Sequence, residues 1–141
     1  MTMDVAHVIQ SALAPVFLIS GVGVMLGVLT NRLARIVDRA RVWEIEAEKE
    51  AHRAADLDAR LRVLARRARY ISHAITMCAV SALLVALVVV ALFANAFLAV
   101  NLAALIAILF VAAMLALTGA FLVFLIEVRI ATAALRIGRM P

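Results

Sequence analysis

Ile71 to Ile126 contains no Asp, Glu, Lys or Arg, and Val5 to Asn31 contains none either. Two stretches this long without a charge leave few folds open. The whole chain has 141 residues, 67% hydrophobic and only 16% charged, whereas soluble domains are about half apolar and about a quarter charged. A small domain leaves a large share of its surface exposed, so a chain of this size cannot hide that much apolar surface in its own core. Lipid removes the conflict. A disordered tail, a secreted disulfide scaffold and an ordinary cytosolic enzyme are excluded on the same grounds. Cys78 is the single cysteine, which allows no internal disulfide, and no Cys or His spacing fits a zinc site.

A membrane-spanning helix needs about 20 apolar residues. The first uncharged stretch supplies one span, residues 8–30. The second fits two, residues 74–94 and 102–126, joined by the polar-punctuated link Asn95 to Asn101. One long span with a re-entrant loop is the alternative arrangement. The expectation is an all-α membrane protein, one domain over residues 1–141, with three transmembrane helices.

Between the uncharged stretches lies Arg32 to Arg69, with 11 of the 14 basic residues and seven of the nine acids. It has no Gly or Pro and is rich in Ala, Arg, Glu and Leu, all good helix formers. Leu57, Leu61, Leu64, Ala68 and Ile71 follow alternating spacings of four and three, the seam of a coiled coil. Helices 1 and 2 are therefore expected to extend into the cytoplasm as an antiparallel helical hairpin over residues 32–70, turning near His52 to Asp56. Asp56 and Asp58 are placed to cap and neutralise the start of the returning helix. A turn centred near residue 55 brings Glu50 near Arg60, Glu46 near Arg62 or Arg66, and Glu44 near Arg66 or Arg67.

Orientation follows from the positive-inside rule. The central loop and the C-terminal Arg129, Arg136 and Arg139 fall on one side of three spans, while Met1 to His7 and the Asn95–Asn101 link carry no Lys or Arg. The N-terminus is expected outside, with the hairpin and C-terminus in the cytoplasm. A cleavable signal peptide is not expected, because the start has no basic segment.

Within the first span, Ser20, Gly27, Asn31 and Asp38 fall on one helical stripe, with Gly23 beside it. Two readings stand. Gly23 and Gly27 form a small-xxx-small pair that suits close packing against spans two and three. The same stripe suits the lining of a pore, offering hydroxyl, amide and backbone oxygens to water or ions. Arg32, Arg35 and Arg39 sit where this span leaves the membrane and suit anionic lipid headgroups; Asp38 is spaced to pair with Arg35 or Arg41. Glu127 ends the third span, near Arg129, and is expected to pair with an arginine of the Asn31–Arg41 stretch. Arg35 with Glu127 is the expected interface or gate pair. His73 and Thr76, at matching depth in span two, are candidates for a polar relay, with a hydrogen-bonded packing role as the plain alternative.

The run Gln10-Ser-Ala-Leu-Ala-Pro15-Val-Phe-Leu, the Gly-rich span and Leu29-Thr-Asn-Arg-Leu-Ala-Arg-Ile-Val-Asp-Arg-Ala-Arg41 resemble a known family, as do Glu127, Leu135, Arg136 and Ile137. The family is that of small bacterial integral-membrane proteins grouped as domain of unknown function number 2721. The resemblance implies a bacterial inner-membrane protein of three spans with a cytoplasmic helical loop, and it brings no activity, substrate or cofactor.

No nucleophile–base arrangement, phosphate-binding Gly-rich loop, metal-ligand cluster or paired carboxylate is present in the sequence. The functional expectation is a non-enzymatic, cofactor-free homo-oligomer forming a passive ion pore, since three spans cannot enclose a pathway alone. A non-conducting structural or regulatory module, whose hairpin docks a cytoplasmic protein, is the alternative. Nucleic acid is not an expected partner, because acids are interleaved with the bases.

Overall fold

The computed structural model describes residues 2–137; Arg139 and the side chain of Arg136 lie outside it. The described residues form α1 (Thr2–Lys49), a short 3-10 turn (Ala51–Arg53), α2 (Ala54–Phe97) and α3 (Ala103–Ile137). Each of the three helices is long and apolar enough to cross a membrane. At 1.5 Å per residue α1 reaches about 70 Å, more than twice the hydrocarbon thickness of a bilayer. α1 and α2 thus run without a break from the apolar stretches into the charged hairpin. Pro15 sits within α1 and is tolerated there.

α2 packs against both α1 and α3. The packing repeats every seven residues: Val22, Leu29 and Ile36 are buried on α1, Leu57, Leu64, Ile71, Cys78 and Val85 on α2, and Ala113 and Ala120 on α3. A seven-residue period is the mark of helices wound around one another in the left-handed sense, knobs into holes. Leu57, Leu64 and Ile71 are 6%, 3% and 0% exposed and Leu61 and Ala68 are half-buried, so most of the hairpin's seam is covered inside one chain.

Outward, the helices remain apolar: Phe17, Val24, Leu83, Val90, Ile108 and Leu115 are all exposed. Large side chains exposed on every helix are what a lipid solvent permits and water does not.

The hairpin's details differ from the sequence expectation. The reversal comes earlier, at Ala51–Arg53, where the Arg53 N–H donates to the Glu50 carbonyl at 3.1 Å. That shift of register dissolves the expected cross-hairpin pairs. The ion pairs are local instead: Glu50–Arg53 across the turn at 3.4 Å, and Asp56–Arg60 and Asp58–Arg62 along α2 at 3.7 and 3.5 Å. Exposed pairs of this kind contribute less than about 1 kcal/mol each. Arg60 also lies over the Trp43 ring, 5.7 Å from its centroid, and ties the two arms together. Asp56 stands in the first turn of α2, but the residue at the helix start is Arg53, which makes no side-chain capping bond.

The link between α2 and α3 is set by its two asparagines. Asn95 Oδ1 accepts the Leu102 N–H at 2.9 Å, and Asn101 Oδ1 accepts the Ala103 N–H at 3.3 Å. Both occupy backbone donors at the start of α3 that no helical carbonyl can reach. Ala99, between them, takes a positive φ of 53°. Farther along, buried Ser81 donates to the Ala113 carbonyl at 2.8 Å, fastening α2 to α3.

Candidate functional site: a carboxylate between two arginines

On α3 the seven-residue series Ala113, Ala120 continues to Glu127, which is wholly buried. A core position is therefore filled by a carboxylate. Arg32 follows the core residue Leu29 by three positions on α1, and Arg67 follows Leu64 by three on α2. Both side chains come to the same level. Arg32 Nη2 donates to Glu127 Oε2 at 2.8 Å, and Arg67 Nε donates to Oε1 at 3.1 Å. Each carboxylate oxygen thus takes one charge-assisted bond, and all three helices meet at one group.

The surroundings hold the cluster. The Arg32 guanidinium also lies over the Phe124 ring, 5.3 Å from its centroid, one turn before Glu127 on α3. Arg32 Nε is buried without a hydrogen-bond partner. An unmet buried donor costs about 1–3 kcal/mol. The arginines keep 33% and 17% of their side-chain surface exposed, against 0% for Glu127. They shield the carboxylate while reaching out themselves.

The cluster opens onto a groove of about 400 Å³ lined by Arg32, Arg35, Ile36, Asp38, Arg39, Leu64 and Arg67. A smaller groove of about 220 Å³, on the same stretch of α2, is lined by Arg66, Arg69, Tyr70 and His73.

The remaining sequence candidates fall in distinct places. Glu127 meets Arg32 rather than Arg35, which is exposed and lines the groove. The ion pairs of the described residues include neither Arg129 nor Asp38, so the expected Asp38 pairs with Arg35 or Arg41 are not formed. Thr76 donates to the Ser72 carbonyl of its own helix at 3.0 Å, while His73 lies exposed beside Tyr70. His73 and Thr76 are not hydrogen bonded to one another. Ser20, Gly23, Gly27, Asn31 and Asp38 are all exposed. A Cβ added at Gly21, Gly23 or Gly27 would meet nothing within 4 Å, so this stripe does not serve packing against α2 or α3. Arg67 was missed as a partner of Glu127. The signal that could have found it is the heptad itself, which puts Arg67 and Arg32 at equivalent places beside the seam.

Among the described residues no group of three or more His, Cys, Asp or Glu could hold a metal ion. Three long apolar helices bound by a buried interhelical ion cluster define a multi-pass, all-helical membrane protein. Residues 12–137 match the family described as protein of unknown function (DUF2721), and the chain belongs to that family. No protein in the curated set and no solved structure matches it.

Proposed function

We propose that the protein works as a homo-oligomer in the bacterial inner membrane, its copies meeting along one face of α1 and enclosing a passive path for small ions. The observation that carries this reading is the two-sidedness of α1. Val22, Leu29 and Ile36 are buried against the bundle, and Ser20, Gly27, Asn31 and Asp38 each stand two positions away from one of them. Two positions are about 200° around a helix, nearly the opposite side. The free face carries these small and polar residues with the exposed Val24 among them, and an added Cβ at Gly21, Gly23 or Gly27 would have room. In lipid, small residues let helix backbones approach closely. An exposed Asn or Asp on a span's continuation is better placed toward a shared aqueous axis than toward lipid.

Topology joins the reading through the positive-inside rule: the Arg-rich hairpin and the end of α3 in the cytoplasm, the start of α1 outside. The docking-arm alternative rests on the long charged hairpin with its seam Leu57–Leu61–Leu64, a seam that a partner could cover. Burial of Leu57 and Leu64 within one chain removes that support.

The test is subunit counting in native-lipid discs, combined with conductance across planar bilayers. Oligomers with ion conductance are expected. Discs holding monomers only would end the proposal; stable oligomers without conductance would leave the assembly and remove the pore.

A further inference from the structure

We propose that the groove between α1 and α2 is a binding site for a phosphate-bearing anion, with a phospholipid headgroup as its natural source. Four arginines border it: Arg32, Arg35, Arg39 and Arg67. Against them stand Asp38 at the rim and Glu127 behind, so the charges do not balance and two positive charges remain. Glu127 takes only one nitrogen from each of Arg32 and Arg67. The ion pairs of the described residues include neither Arg35 nor Arg39. Planar guanidinium donors left over around one concavity are the usual means of holding phosphate oxygens in pairs.

The level of the groove selects the source. Asn31 ends the first uncharged stretch, Ile71 begins the second and Ile126 ends it. Arg32, Arg67 and Glu127 therefore stand where the apolar slab gives way to charge, the level of the lipid phosphates. The volume of about 400 Å³ is within the range of small-ligand sites and exceeds what a bare ion needs. The apolar side chains of Ile36 and Leu64 form its wall. The inference stands whether or not copies of the chain assemble, because the groove is built by one chain.

The experiment is native mass spectrometry of the full chain in detergent, titrated with phosphatidylglycerol, with phosphatidylcholine, and separately with inorganic phosphate. Phosphatidylglycerol is expected to bind in preference to phosphatidylcholine. The double variant Arg35→Gln/Arg39→Gln, which leaves the Glu127 cluster intact, is expected to weaken that adduct by about tenfold, as the loss of charge-assisted contacts implies. The control Arg41→Gln/Arg62→Gln removes the same formal charge elsewhere and is expected to bind like the parent. Saturable binding of inorganic phosphate that the double variant loses, without a lipid preference, supports the phosphate site and assigns it a soluble source. Equal weakening by both double variants, or no preference for phosphatidylglycerol over phosphatidylcholine together with no saturable binding of inorganic phosphate, overturns the proposal.

Discussion

Glu127 Oε2 on α3 accepts a bond from Arg32 Nη2 on α1 at 2.8 Å, across 95 positions of sequence. With Arg67 on its other oxygen, this carboxylate ties together the two outer helices and the central one at a single level. Two partly exposed cations around one buried anion are favourable only as a set. Removing the anion leaves both arginines facing a site shaped for a counter-charge, and removing an arginine leaves an under-compensated buried charge.

Glu127→Leu is accordingly expected to lower stability by about 3 kcal/mol, the low end for a broken buried pair, because Arg32 and Arg67 can reach toward water. SDS titration in mixed micelles measures it. Glu127→Gln should cost less, and adding Arg67→Gln to Glu127→Gln should recover part of the loss. Additive losses in that double variant would show that the two side chains are not coupled.

Gly119 faces Met77, whose Cε would lie 2.5 Å from an added Cβ. The obstacle is the free end of a flexible side chain, so Gly119→Ala should shift stability by less than about 1 kcal/mol. Gly119→Val adds bulk that Met77 cannot yield to, and about 1–3 kcal/mol is expected. Met77→Ala should relieve the valine variant; if it worsens it instead, the contact is elsewhere.

Gly23→Leu and Gly27→Leu fill open space in the single chain. Monomer stability should hold or rise by up to about 1 kcal/mol, because glycine is the poorer helix former. In-membrane crosslinking between copies should fall sharply, since bulky groups keep the α1 faces apart. Unchanged crosslinking would move the association surface to another face.

Cys78 is wholly buried between α1, α2 and α3 core residues. A maleimide should label it only after denaturation in SDS, because the thiol must first reach solvent. The native cysteine can then remain in place while cysteines introduced at residues 20–31 are scanned for periodic labelling. Rapid labelling of the native chain would mean that this part of the bundle opens.

Much of the architecture is legible residue by residue. The uncharged stretches mark the spans, the absence of Gly and Pro from Arg32 to Arg69 carries the helices through the hairpin, and Leu57, Leu64 and Ile71 trace its seam. The site was legible only in part. Glu127 stands out as the acid ending an apolar stretch, yet its link to Arg32 and Arg67 follows from register. Placing the reversal at Ala51–Arg53 decides which residues of the two arms come level. The asparagines of the link look like polar punctuation in sequence and prove to be the groups that cap α3.

The sequence by itself determined the solvent, the number of long apolar helices and the seven-residue packing period, because hydropathy and helical periodicity are properties of consecutive residues. Only the tertiary structure decided which arginines share Glu127 and that the glycines of α1 look away from the bundle. Both depend on the rotation and axial offset of one helix against another. Those are set jointly by all the side chains of a seam, and no single stretch of the chain contains them.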